Sequence, residues 1–173
     1  GRVFGIRAWE VQESSRQSKG QAIVNLINID QGEEIQAVLP LESSDAKYLL
    51  MATAKGTVKK TSLSAFKNLR AAGLIAIRLE KDDALSWVKP TSGEDHILMA
   101  TKLGKSIRFK ETDARPMGRT AHGVRGIRLA EGDRLVGMEV LATRIVKPDD
   151  KRKKFFRDIL VISERGLGKR TPF

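Results

Sequence analysis

The sequence predicts an all-β fold assembled from repeated four-stranded sheets, and three observations carry that prediction. A segment of about 14 residues recurs three times; each copy has the form strand, glycine turn, strand; and no long helical periodicity interrupts the pattern. The copies are Tyr48-Leu-Leu-Met-Ala-Thr-Ala-Lys-Gly56-Thr-Val-Lys-Lys-Thr61, His96-Ile-Leu-Met-Ala-Thr-Lys-Leu-Gly104-Lys-Ser-Ile-Arg-Phe109 and Ile159-Leu-Val-Ile-Ser-Glu-Arg-Gly166-Leu-Gly-Lys-Arg-Thr171. Each is an apolar, β-branched run, a turn ending in glycine, and an alternating run, which is the signature of a β-hairpin. Gly56 and Gly104 superpose at a spacing of 48 residues, a period found in propeller blades, whose units bury their faces only by stacking.

Taken in order, Gly1 to Arg7 reads as the second strand of an earlier copy. Ile23 to Ile29, Leu74 to Leu79 and Val124 to Leu129 then align as third strands. The polar turns Asp30 to Glu33, Glu80 to Asp83 and Ala130 to Asp133 lead into fourth strands at Ile35–Val38, Leu85–Val88 and Leu135–Met138. Leu63 to Leu69 predicts one turn of helix between hairpin and third strand. The units fall approximately at 1–47, 48–95, 96–158 and 159–173, the last being the start of a further blade. The insert Val146 to Lys154 predicts a flexible loop. Because the first residues read as mid-strand and the last stop where another strand is due, the sequence is expected to be a piece of a longer array.

Composition narrows the function. Thirty-two Lys and Arg against 21 Asp and Glu give a net charge of +11, a field that favours a polyanion. The excess is uneven: residues 48–90 hold eight basic and three acidic groups, whereas residues 1–40 hold four and five. The absence of cysteine excludes disulfides and thiolate zinc sites, and the apolar runs are too short to span a bilayer, so a reducing cytoplasm and no membrane are expected. His96 and His122 stand without partners at metal-ligand spacing, and there is no Gly-Lys-Ser/Thr nucleotide loop or paired nucleophile and base. No metal, cofactor or catalytic residue is expected. Trp9 and Trp87 read as packing residues, as does Tyr48.

Several stretches carry a family resemblance. They include Ile23-Val-Asn-Leu26 with Ile35-Gln-Ala-Val-Leu-Pro40, Ala52-Thr-Ala-Lys-Gly-Thr-Val-Lys-Lys-Thr61, Ser92-Gly-Glu-Asp95, Arg108-Phe-Lys-Glu111, Gly123-Val-Arg-Gly-Ile-Arg-Leu-Ala-Glu-Gly-Asp133 and Gly168-Lys-Arg-Thr171. In these the chain resembles the C-terminal domain of bacterial DNA gyrase A, with the homologous domain of topoisomerase IV as a close relative. The resemblance implies a β-pinwheel, a propeller-like ring of four-stranded blades that exchange strands, with about three of the usual six present. It also implies duplex DNA wrapped on the perimeter, and, as partners, the rest of gyrase A together with gyrase B in an ATP-dependent type II topoisomerase that introduces negative supercoils. The strand-cleaving tyrosine of such enzymes lies in another domain, so this piece is not expected to be an enzyme. The family's Gln-Arg-Arg-Gly-Gly-Lys-Gly heptapeptide does not occur; the sequence is expected to start downstream of it, and Arg16-Gln-Ser-Lys-Gly20 occupies the equivalent loop of a later blade.

A sequence-nonspecific rim needs a row of cations at phosphate spacing. The expected contacts are Lys55, Lys59, Lys60, Lys105, Arg108, Lys110, Lys169 and Arg170 on outer strands, and Arg16, Lys19, Lys67, Arg70, Arg115 and Arg119 on loops. Arg78, Arg125 and Arg128 alternate with apolar neighbours and have two readings, contacts to DNA or pairs with blade carboxylates, and are left outside the set. The rival function of another class is a protein-interaction propeller whose basic face meets an acidic partner.

Overall fold

The computed structural model describes residues 1–40, 46–69, 72–141 and 158–172, as two compact units divided at Ala142/Thr143. The expected hairpins are present. β2 (Tyr48–Thr53) pairs antiparallel with β3 (Thr57–Ser62), and β6 (His96–Thr101) with β7 (Ser106–Lys110); β10 (Asp158–Ile162) pairs with β11 (Gly168–Pro172) in the second unit. The three turns share one chemistry. A hydroxyl at the end of the first strand accepts the amide four residues on: Thr57 N to Thr53 Oγ1 at 3.2 Å, Lys105 N to Thr101 Oγ1 at 3.1 Å and Leu167 N to Ser163 Oγ at 3.1 Å. The glycine between them takes φ of 82°, 84° and 79° at Gly56, Gly104 and Gly166, left-handed values that disfavour any Cβ.

The third and fourth strands part company. β5 (Leu85–Thr91) and β9 (Leu135–Leu141) return to pair with the first strand of their own hairpins, but the short third strands leave for the preceding unit. β4 (Leu74–Ile75) pairs with β1 (Arg2–Val3), and β8 (Val124–Arg125) pairs with β3, Thr57 opposite Arg125 and Val58 opposite Val124. The complete sheet therefore runs β5-β2-β3-β8, with its last strand donated by the following unit, beside a three-stranded sheet β7-β6-β9. This is the all-β, strand-exchanged pinwheel architecture. The turn Leu63–Phe66 is the short helical turn foreseen, in 3₁₀ form.

Two expected strands are absent. Ile23–Asn25 is a 3₁₀ turn and residues 35–38 form no strand. No described strand pairs with either segment, and an unpaired strand has no ladder to hold it. The loop expected at 146–154 lies outside the described residues.

β2 shows why the blades stack. Leu50 and Ala52 face a cluster with Val58, Ile97, Met99, Ile127, Leu135 and Met138, while Leu49 and Met51 face the opposite way, toward Phe66, Ala76 and Ile77. The strand is thus buried on both faces, and its alternation is apolar on either side. On one edge the two sheets converge: β5 packs on β9, and Lys89 pairs with Glu139 at 3.2 Å. β8 occupies the other edge of its sheet, so that edge is the perimeter.

Candidate nucleic-acid interface

The topology relocates the outer strand. Sequence reading assigned it to the second strand of each hairpin, yet in the complete sheet β3 lies inside β8. Lys59 and Lys60, expected on the rim, are 0% and 3% exposed. Cross-strand register explains their directions. Lys59 stands opposite Met51 and Lys60 opposite Leu50, so the two side chains leave β3 on opposite faces, Lys60 toward the cluster with Ile97 and Met99 of the following unit and Lys59 toward the one with Phe66, Ala76 and Ile77. Both carry their ammonium along an aliphatic stem to backbone carbonyls.

Lys60 Nζ donates to Glu111 O at 2.9 Å, lies 3.9 Å from Glu111 Oε1 and sits 5.1 Å above the Tyr48 ring centroid. Glu111 is itself fully buried. Its carboxylate accepts from Thr91 Oγ1 at 2.6 Å, Gly93 N at 2.9 Å and Asp95 N at 3.3 Å. Ser92-Gly-Glu-Asp95 and Arg108-Phe-Lys-Glu111, noted as family-like stretches, are therefore two sides of one buried polar strut. Lys59 Nζ donates to Ala76 O at 2.6 Å and to Arg119 O. Burial first, and the nearby Arg119 charge second, lower its pKa to about 8.

The remaining expected residues divide by position. Lys55 and Lys105 are exposed at the hairpin turns, their ammoniums on Lys81 O and Arg128 O, each at 2.9 Å. Arg108 and Lys110 are exposed on β7, with Arg108 Nε donating to His96 Nδ1 at 3.4 Å; Arg108 and Lys60 hold equivalent registers, as do His96 and Tyr48. Arg16, Lys19 and Lys67 are exposed on loops, as is Arg115, and Arg119 is half-buried. Arg70 lies outside the described residues. Lys169 and Arg170 belong to the second unit, where Arg170 Nε pairs with Asp158 at 3.0 Å.

Sequence reasoning set aside the arginines that the topology places outermost. Arg125 is on β8 itself and Arg128 three residues beyond; Arg78 holds the position equivalent to Arg128 one unit earlier. All three are exposed, and none pairs with a described carboxylate. The repeat of Ile77-Arg78-Leu79 as Ile127-Arg128-Leu129 was the available signal. Trp9 also departs from its packing assignment, being 76% exposed with Arg7 5.0 Å above its ring, whereas Trp87 packs against the central cluster.

A propeller-like array of strand-exchanged sheets with an arginine-bearing perimeter defines the class of repeat-built β modules. Within it, the family described as the DNA gyrase C-terminal domain, beta-propeller, matches residues 1–42, 47–92, 95–142 and 157–173, and the chain belongs to that family. DNA gyrase A of Staphylococcus aureus (strain NCTC 8325 / PS 47) is 44% identical over 175 residues, which cover 99% of this chain and 18% of that protein. A solved structure of the DNA gyrase A C-terminal domain superposes with a TM-score of 0.74 at 29% identity, over 99% of this chain and 51% of its own. The C-terminal domain of DNA topoisomerase IV gives 0.72 at 33% identity, over 88% and 45%. No described helix is long and apolar enough to cross a membrane.

Proposed function

We propose that this chain binds duplex DNA without regard to sequence, wrapping it along the perimeter edge of its sheets as the accessory domain of a type II topoisomerase. The observation that carries this reading is strand exchange, which sets Arg125 and Arg128, with the adjoining Arg115 and Arg119, on the outer edge of the preceding blade without described carboxylate partners. Arg78, Lys67, Lys55, Lys105, Lys110, Arg108, Arg16 and Lys19 extend the exposed basic surface, and Lys169 and Arg170 supply cations on the last hairpin. Phosphates every few ångströms then meet guanidinium groups, and counterion release drives association. Bending 20 to 30 base pairs costs roughly 1 to 6 kcal/mol, which contacts on successive blades offset.

In this reading the partners in the whole protein are the remainder of gyrase A and the separate gyrase B polypeptide, strand cleavage and ATP use lie outside this domain, and the site of action is the bacterial cytoplasm at the nucleoid. The gyrase assignment over topoisomerase IV rests on the 44% identity to DNA gyrase A. The test is a titration against unrelated duplexes by anisotropy from 50 to 200 mM salt. Affinity is expected to fall at least tenfold, independent of sequence, and each arginine replaced among Arg78, Arg119, Arg125 and Arg128 is expected to reduce the salt slope by about 0.9. An unchanged affinity and slope in the fourfold alanine variant would refute the perimeter assignment. Displacement by an acidic protein but not by duplex would turn the reading to a protein partner.

A further inference from the structure

We propose that Lys59 is a positioning residue: its buried ammonium holds Arg78 and Arg119, from two successive units, side by side as one phosphate-binding pair across the seam between them. The inference rests on the DNA-binding reading and deepens it. One nitrogen donates to the carbonyls of Ala76 and Arg119, so two segments that are 43 residues apart in sequence close on the same atom. Arg78 N donates to Ala121 O at 3.2 Å and continues the zip. Lys60 fastens the same loop by its backbone: its carbonyl accepts Met117 N at 2.8 Å, and it bridges to Pro116. The loop bearing Arg115 and Arg119 is thereby fixed to β3, whose own lysines reach no solvent.

The charges around the seam support an anionic ligand. Facing Lys59 is Arg119 from the loop, and Arg78 follows two residues after Ala76, whose carbonyl accepts from the Lys59 ammonium. No described carboxylate forms an ion pair with Lys59, and no acid is among the groups that shift its pKa. A buried ammonium with a cationic neighbour is stabilised by an anion at the surface above it. Phosphate binding then favours the protonated amine, and by linkage protonation favours phosphate.

Three measurements on the whole 173-residue chain test this. In the first, Lys59→Met and Arg119→Ala each weaken a 30-base-pair duplex roughly tenfold, the loss of one charge-assisted contact, and the double variant is no weaker than the worse single one. Multiplying losses would mean the residues act independently and would overturn the proposal. In the second, without DNA, Lys59→Met speeds hydrogen exchange at Met117 and Ala121 at least tenfold while Ile97 to Ala100 stay protected; unchanged exchange overturns the positioning role. If exchange quickens but Arg78→Ala and Arg119→Ala bind duplex as wild type does, the positioning stands and the phosphate assignment falls. The third needs no substitution, which matters if Lys59→Met does not fold. At pH 8.5, with the Gly1 amine acetylated, duplex binding takes up protons, read as a binding heat that varies with buffer ionisation enthalpy. Absence of uptake overturns the coupling.

Discussion

Replacing Glu111 by alanine tests whether the blades are joined by a buried polar strut or by apolar packing alone. The carboxylate is fully buried and accepts three hydrogen bonds, from Thr91, Gly93 and Asp95, beside the Lys60 ammonium at 3.9 Å. Removing it strands two amides, one hydroxyl and a lysine that retains only the Glu111 carbonyl and the Tyr48 ring. Breaking a buried ion pair by deleting one partner costs about 3 to 5 kcal/mol. Each stranded amide adds on the order of 1 kcal/mol, less where water fills the space left. A total of about 5 kcal/mol corresponds to a fall in melting temperature of roughly 10 to 20 °C for a chain of this size. Glu111→Gln keeps the shape and one acceptor oxygen, and Thr91 can turn its hydroxyl to accept, so about half the loss is expected. Thermal unfolding by circular dichroism, with urea unfolding for the free energy, measures both. If the alanine variant lies within about 1 kcal/mol of wild type, the strut is dispensable and the account of Lys60 fails with it.

Two further substitutions address other levels of the fold. Gly123 precedes β8 at φ 109°, and a Cβ there would lie 2.6 Å from the Val58 carbonyl oxygen, so Gly123→Ala is expected to unseat the donated strand. The same change at Gly132, φ 72° with nothing within 4 Å, meets only backbone strain; melting temperatures compared between the two should show the first falling several degrees further. Lys59 gives stability a pH dependence of defined sign. Its pKa is about 8 folded against 10.5 unfolded, so between those values the unfolded chain holds the extra proton and stability rises with pH. Urea midpoints at pH 7.5, 9 and 10 should show a rise in wild type that is smaller in Lys59→Met; equal slopes would place the titration elsewhere.

The hairpins were legible because their signals are local. An apolar run, a hydroxyl, a left-handed glycine and a second run all lie within about 14 residues. Strand exchange was not readable from composition or spacing, since nothing in Val124-Arg125 says that its partner is Thr57-Val58 rather than its own hairpin; the expectation came from resemblance. The error at Lys59 and Lys60 has a specific cause. Alternation of basic and apolar residues reads as a strand with one wet face, but β3 is covered on both faces, by the following unit on one and by Phe66, Ala76 and Ile77 on the other. The repeat held a clue: Lys59 aligns with Ile107, a position that another copy fills with an aliphatic residue. Arg78, Arg125 and Arg128 stay outside the expected set because a sequence does not show which carboxylates stand nearby.

The donation of β8 to the sheet of β2 and β3 means that a repeat of sequence and a unit of structure are out of phase. A chain cut at the boundary between copies, before His96, would leave β3 with a bare ladder edge and its two lysine ammoniums without the carbonyls of Glu111 and Arg119. The sheet of β2 and β3 is completed only when the following unit has supplied β8, so these two blades are expected to share one folding transition instead of stacking as independent tiles. The same interlock makes any curvature imposed on the perimeter a property of the pair: a load on the arginines of one unit is borne by the hairpin of the unit before it.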